Sequence, residues 1–181
     1  NGFWNPLRIG TKGSSANRIL SLLMAHPEFG DGHRAWTKGD LALWGEWLDS
    51  KGILKNGAKE TIQTRDDSRP VSMEHLQAIF ETGAFESLMT ARDGDYRALL
   101  DWWRTRVTAD VRKRVQFPAE IAARRGPQAL LDTPKVVVGT IHSVKGGQAD
   151  VVYLFPDLSQ AGDAQYNRGG AARDSVIRVF Y

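Results

Sequence analysis

The sequence predicts an α/β protein that is mainly helical, and three observations lead there. Apolar residues recur at helical spacing through most of the first 130 positions. At Pro134 the character changes to two short runs rich in β-branched residues, Lys135–Ile141 (KVVVGTI) and Asp150–Phe155 (DVVYLF). Nearly continuous apolar runs of this length suit strands of a parallel sheet covered on both faces. The chain therefore reads as a helical part, residues 1–130, followed by a strand–loop–strand–loop–helix part, residues 131–181. The second part is too small to close a doubly covered sheet, so it is expected to be a piece of a larger α/β domain.

Each element has its own signal. Residues 1–13 are rich in Gly, Pro and Asn and read as irregular. Ser14 or Ser15 is placed to cap a helix from Ala16 to about Ala25, with Ile19, Leu20, Leu22 and Leu23 as its apolar face. A loop at His26–Gly32 follows. Asp40 is the expected cap of a second helix, whose Leu41, Leu43, Trp44, Trp47 and Leu48 face inward and which Gly52 ends. Residues 55–70 are polar and read as a long connection. Ser72 opens a third helix, buried through Leu76, Ile79, Phe80, Phe85, Leu88 and Met89. A fourth is expected from about Asp95 to Val115, interrupted at Pro118, with a short helix at Ala119–Arg124 beyond. Residues 156–173 read as a Gly- and Asp-rich loop, and Asp174 as the cap of a last helix, Ser175–Tyr181.

Composition sets outer bounds. The chain has 181 residues, 41% hydrophobic and 25% charged, with six Trp and no Cys. Disulfides and Cys-based zinc sites are excluded. No apolar run approaches the roughly 20 residues that span a bilayer. No charged stretch followed by an apolar one opens the chain, so no signal peptide is read there and a cytoplasmic protein is expected. Position 1 is Asn, not Met, which suggests an excised segment. The net charge is +3 and the pI about 9.3. The basic excess concentrates between Asp101 and Arg125, where seven basic residues face three acidic ones. A local surplus of this kind suits nucleic acid.

The segment with most chemistry is Val138–Leu154, VGTIHSVKGGQADVVYL. It reads as a strand, a tight polar loop and a second strand. Thr140 and Ser143 offer hydroxyls, His142 an imidazole and Lys145 a compact positive charge. Gly146 and Gly147 allow positive φ and let amides approach a phosphate. Ligands of open α/β sheets bind at the carboxyl ends of strands, where this loop would lie. Taken singly, each residue has an ordinary structural reading: a turn glycine, a satisfied histidine, a strand threonine. Their combination is what points to an anion.

That combination resembles motif V of UvrD/Rep-like superfamily 1 DNA helicases, Thr-x-His-x-x-Lys-Gly-x-Glu followed by an apolar strand. Thr140, His142, Lys145 and Gly146 match it. The terminal DSVIRVFY resembles the start of motif VI through Asp174, Arg178, Phe180 and Tyr181. The opening NGFWNPLR resembles sequence that follows motif IV. The resemblance implies that residues 131–181 belong to the second RecA-like domain, with part of its parallel sheet. Residues 1–130 would then be the helical insertion between motifs IV and V. It implies contact of Thr140, His142 and Ser143 with single-stranded DNA, and of Lys145, Gly146 and Gln148 with nucleotide. Gln148 stands where the family commonly has Glu; it keeps a ribose hydrogen bond but loses the charge. Gly147 replaces a usual apolar residue.

The implied parent protein is an ATP- and Mg2+-dependent helicase whose first RecA-like domain would be this segment's partner. The sequence has no G-x-x-x-x-G-K-[ST] and no acidic pair after an apolar strand, and the resemblance puts the motif VI arginine beyond Tyr181. Phosphoryl transfer relies on such parts for positioning and electrostatics, so the segment alone is expected to bind no ATP or Mg2+ and to hydrolyse nothing. No metal site is expected. A second candidate for DNA contact is the helix around Trp102–Arg114, where Arg104, Arg106 and Arg112 accompany two Trp; helical spacing favours the core for the Trp themselves. A cut sheet would expose a strand edge and favour a homodimer. The rival readings are a stand-alone nucleic-acid-binding or regulatory module without ATPase activity, and a helical interaction domain.

Overall fold

The computed structural model of the chain describes residues 13–63, 67–132, 135–136, 138, 149–154 and 158–177. Its elements in order are α1 (Ser15–Leu23), α2 (Lys38–Gly45), α3 (Ala58–Thr61), α4 (Met73–Ile79), α5 (Thr82–Asp93), α6 (Tyr96–Arg106), α7 (Arg112–Arg125), α8 (Gln160–Arg168) and α9 (Gly170–Ile177). Turns of 3-10 helix lie at Pro27–Gly32 and Pro127–Leu130. The chain divides after Pro134: residues Asn5–Pro134 form one unit, and Lys135–Tyr181 belong to another.

In the first unit the helix starts follow cap chemistry. Ser14 accepts the Asn17 amide and begins α1. Thr37 begins α2, one turn before the expected Asp40. Asp40 instead completes a capping box, accepting from the Thr37 amide at 2.8 Å while Thr37 Oγ1 accepts from the Asp40 amide at 3.1 Å. Asp40 also accepts from the Arg34 guanidinium, which raises the Arg34 pKa through that hydrogen bond. Ser72 caps α4, as its position predicts, by accepting the His75 amide.

The core is aromatic and continuous. Trp36 lies 5.3 Å from Trp44, Trp44 stacks on Phe80 at 6.0 Å, and Phe80 meets Trp102 edge-on at 6.2 Å. Trp103 is fully buried and stacks with Trp47 at 6.4 Å. Three of the indole N–H groups are spent inside: Trp36 donates to the Leu22 carbonyl, Trp103 to the Trp44 carbonyl and Trp102 to Ser87 Oγ, each at 2.8 Å, whereas the buried Trp44 Nε1 has no partner among the described residues. Removing one such aromatic from a core typically costs about 3–5 kcal/mol. Buried Arg18 lies 4.1 Å over Trp47 and pairs with Glu46 at 2.8 Å. A charge can be buried here because its donors are engaged.

Several expected boundaries move. The third helix is two, α4 and α5, parted at Phe80. There the backbone bridges Leu54 and the Glu81 amide donates to the Ile53 carbonyl at 3.0 Å. The fourth helix stops at Arg106, because Val107 bridges Leu48 and the Thr108 amide donates to the Trp47 carbonyl at 2.9 Å. Tertiary pairing overrides continuation of the helix. Pro118 lies inside α7 and does not end it. The cost of an interior proline, about 3 kcal/mol, is set against burial of Val115, Pro118, Ala119 and Ala122 on one face. The long connection at 55–70 contains α3.

In the second unit the sheet expectation is overturned. Among the described residues there is no strand and no sheet, so the chain is mainly helical where described, and no partial RecA-like parallel sheet is present there. Val136, Val138, Val152 and Tyr153 are 76–92% exposed. A doubly covered strand requires apolar neighbours on both faces, whereas these side chains are exposed. The strand edge invoked for a homodimer falls with the sheet. The loop expected at 156–173 contains α8, capped by Ser159 accepting the Gly162 amide, and α9 begins at Gly170, placing Asp174 inside the helix instead of at its cap.

Candidate nucleic-acid interface

The α6–α7 hairpin gathers the basic surplus of the chain. Its two helices run antiparallel: Tyr96 Oη and Arg97 Nε, at the start of α6, both donate to the Ala123 carbonyl near the end of α7, at 3.2 and 3.0 Å. The last turn of α6 therefore lies beside the first turn of α7. Asp49 fixes the turn between them, its amide donating to the Arg106 carbonyl at 2.8 Å. Arg104, Arg106, Arg112, Lys113 and Arg114 are thus collected at one end of the hairpin. The three arginines expected from the sequence to meet DNA are all in this group, and their helix spacing explains why: two close α6 and one opens α7.

Their surroundings differ. Arg104 pairs with Asp101 at 2.8 Å, an exposed i,i+3 contact. Arg106 lies 4.9 Å over the Trp102 ring and donates to the Trp102 carbonyl at 3.1 Å. Arg112 Nε donates to the Val107 carbonyl at 3.4 Å, a long contact that leaves the rest of its guanidinium outward. Asp110 has its pKa lowered, first by the Thr108 hydroxyl and further by Arg114, so it remains a carboxylate among the cations. Lys113 has no ion pair among the described residues and is exposed.

Electrostatics within α7 run against its stability. Arg112, Lys113 and Arg114 crowd the positive end of the helix dipole, and Val111 supplies no side-chain cap. Arg124 and Arg125 close the helix, where cations are favourable. Residues held against a local preference commonly serve function instead of fold.

Trp102 and Trp103 are 5% and 0% exposed, so neither can offer a stacking face to a base. The aromatic ring that is available is Phe117, 57% exposed on α7. Sequence reading missed it because a helix broken at Pro118 hides the alignment of Phe117 with Lys113 and Arg124. The loop candidates Thr140, His142, Ser143, Lys145, Gly146 and Gln148 lie outside the described residues.

Two other clusters in the first unit are structural. A cavity of about 120 Å³ is lined by Lys38, Asp67, Arg69 and His75 among others. Asp67 accepts from Arg69 Nε at 2.9 and 3.0 Å, and Arg69 holds its carboxyl down to about 2. The amides of Lys38 and Gly39 donate to the carbonyls of Arg69 and Asp67, so the start of α2 is already satisfied. An open depression of about 660 Å³ lies over Trp36, Val71, Met73 and Leu76. At its edge, buried His26 accepts the Glu28 amide at Nδ1 and so donates from Nε2 to the Gly94 carbonyl at 2.8 Å. Both ring nitrogens are occupied, which makes it a structural histidine. Among the described residues no group of three His, Asp or Glu is placed to hold a metal ion, and no helix is long and apolar enough to cross a membrane. In comparisons with known proteins, no family model, no curated protein and no solved structure matches the chain.

Proposed function

We propose that this chain is part of a UvrD/Rep-like superfamily 1 DNA helicase, a cytoplasmic ATP-driven translocase. In this reading the motif V-like loop contacts single-stranded DNA and couples it to nucleotide. The observation that carries this reading is the ordered pair of sequence segments, Thr140-x-His142-x-x-Lys145-Gly146 and the later Asp174 to Phe180-Tyr181. Thr140, His142 and Ser143 are assigned to the strand, and Lys145, Gly146 and Gln148 to the nucleotide side. ATP and Mg2+ belong to the parent motor, with the first RecA-like domain as partner; the segment alone hydrolyses nothing. The helical unit adds a basic hairpin that supplies phosphate contacts of its own.

A second reading is favoured by that same hairpin: a nucleic-acid-binding module without ATPase activity, needing no motif V. Fluorescence anisotropy with a labelled single-stranded oligonucleotide, at about 50 and about 200 mM salt, separates the two. Salt-sensitive binding that weakens in His142→Ala/Lys145→Ala is the helicase expectation. Binding that ignores this pair but falls in Arg112→Ala/Lys113→Ala selects the module. Absence of binding at either salt overturns both.

A further inference from the structure

We propose that the outward face of α7 is a track for single-stranded DNA. A base stacks on Phe117, and phosphates are held by Lys113 and Arg124. This deepens, and rests on, the nucleic-acid reading of the hairpin. The residues follow from the register of the helix. Val115, Pro118, Ala119 and Ala122 are buried and define its inner face. At 100° per residue, Lys113, Phe117, Glu120 and Arg124 fall on the opposite side. Phe117 is the one large apolar side chain on α7 that is exposed beyond half, and nothing in the core explains it. An isolated exposed apolar side chain is ordinary on a protein surface. This ring differs because it lies between two cations on one line.

Neither Lys113 nor Arg124 has an acidic partner among the described residues. The acid on the line is Glu120, and it accepts from Gln116 Nε2 at 3.1 Å. Lys113 and Arg124 are eleven residues apart, about 16 Å along the axis. A stacked strand rises about 3.4 Å per nucleotide, so this spans about five nucleotides. That is within the site sizes of proteins that combine a basic groove with aromatic platforms.

Charge selects the occupant. In a symmetric dimer the same patch meets itself, residue i against residue j, so an antiparallel pairing of two α7 faces would set Lys113 of each copy against Arg124 of the other. An anionic chain neutralises them instead. One exposed ring gives little apolar area for a membrane surface. Duplex DNA keeps its base faces stacked inside, so a lone phenylalanine rewards an unpaired strand.

The test is anisotropy with a labelled oligodeoxythymidine of about 15 nucleotides and with a duplex of equal length. Phe117→Ala is expected to weaken strand binding roughly tenfold with the salt slope unchanged. Phe117→Trp should restore it, and duplex binding should not respond. Lys113→Ala/Arg124→Ala should lower the magnitude of the salt slope by about 1.4, two phosphates at about 0.7 each. The exposure of Phe117 makes folding of these variants the expected result, checked by circular dichroism and melting. If the unaltered chain binds the strand and Phe117→Ala binds it equally, the track is overturned while the hairpin reading stands. If the unaltered chain does not bind, both are overturned. If Phe117→Ala turns a dimer into a monomer in sedimentation and leaves DNA affinity alone, the face is a self-interface and the track is again overturned.

Discussion

At the scale of single side chains, the Asp67–Arg69 pair sets where acid acts on the first unit. Asp67 titrates near 3.8 when free and near 2 in the fold, first because the Arg69 guanidinium donates to it, then through the Arg69 amide. The folded state therefore binds a proton less readily than the unfolded chain. The stabilisation is present above about pH 4 and is lost as pH falls towards 2. His75 acts in the same direction but earlier: burial lowers its pKa, with Lys38 adding to it, so stability begins to decline as pH falls through the ordinary value of 6.5. Urea unfolding across pH, comparing the chain with Asp67→Asn, should show two stability curves that converge below pH 4. A constant gap between them down to pH 2 would mean that the pair does not hold the 67–70 segment onto α2. None of this was legible in the sequence, because Asp67 and Arg69 looked like solvated residues in a polar connection. Trp102 and Trp103 were legible as core from spacing alone, whereas their hydrogen-bond partners, Ser87 and the Trp44 carbonyl, needed the fold.

At the scale of elements, helices with a cap and an apolar stripe were readable, and their breaks were not. Ser14 and Ser72 announce α1 and α4 by local chemistry. The stops at Phe80 and Arg106 come from backbone pairing with Leu54 and Leu48, contacts distant in sequence. The apolar runs at 135–141 and 150–155 misled for a related reason. A strand of that kind depends on neighbours that no local pattern reveals, and no partner strand is found among the described residues. The basic hairpin was half legible: Arg104, Arg106 and Arg112 stood out by charge, but the alignment of Phe117 with Lys113 and Arg124 required α7 to continue through Pro118. This arrangement makes stability and binding pull apart. Lys113→Glu replaces a cation at the positive end of the α7 dipole by an anion, at an exposed position with no ion pair to lose. It should stabilise the chain by about 1 kcal/mol while weakening single-strand binding. Thermal melting and anisotropy on the same preparation would read both. A variant that loses stability and keeps its affinity would remove the argument that α7 carries its first-turn cations for a ligand.

At the scale of the whole molecule, the two units differ in how much they bury. The first has a continuous core running from Ile19 to Leu130, with Trp44, Trp103, Phe80 and Leu99 at or near zero exposure. Among the described residues of the second, α8 buries no residue and α9 buries only Val176. Local opening free energy follows buried apolar contact, so amides of the two units should exchange on different scales. In α6 the amides are released only when the aromatic core comes apart, and their protection should equal the global stability measured by urea. In α8 each amide needs only one or two turns to open, stabilised chiefly by the Ser159 cap and by Arg173 donating to Tyr166 Oη at 2.9 Å. Native-state hydrogen exchange on the full chain would then give low, denaturant-insensitive protection in α8 and high, denaturant-sensitive protection in α6. Adding single-stranded DNA should raise protection in α7, whose first turn is uncapped and electrostatically strained, before it changes α6, which is already held by the core. Equal protection in α8 and α6 without DNA would show that the second unit buries its helices through contacts beyond those seen among the described residues.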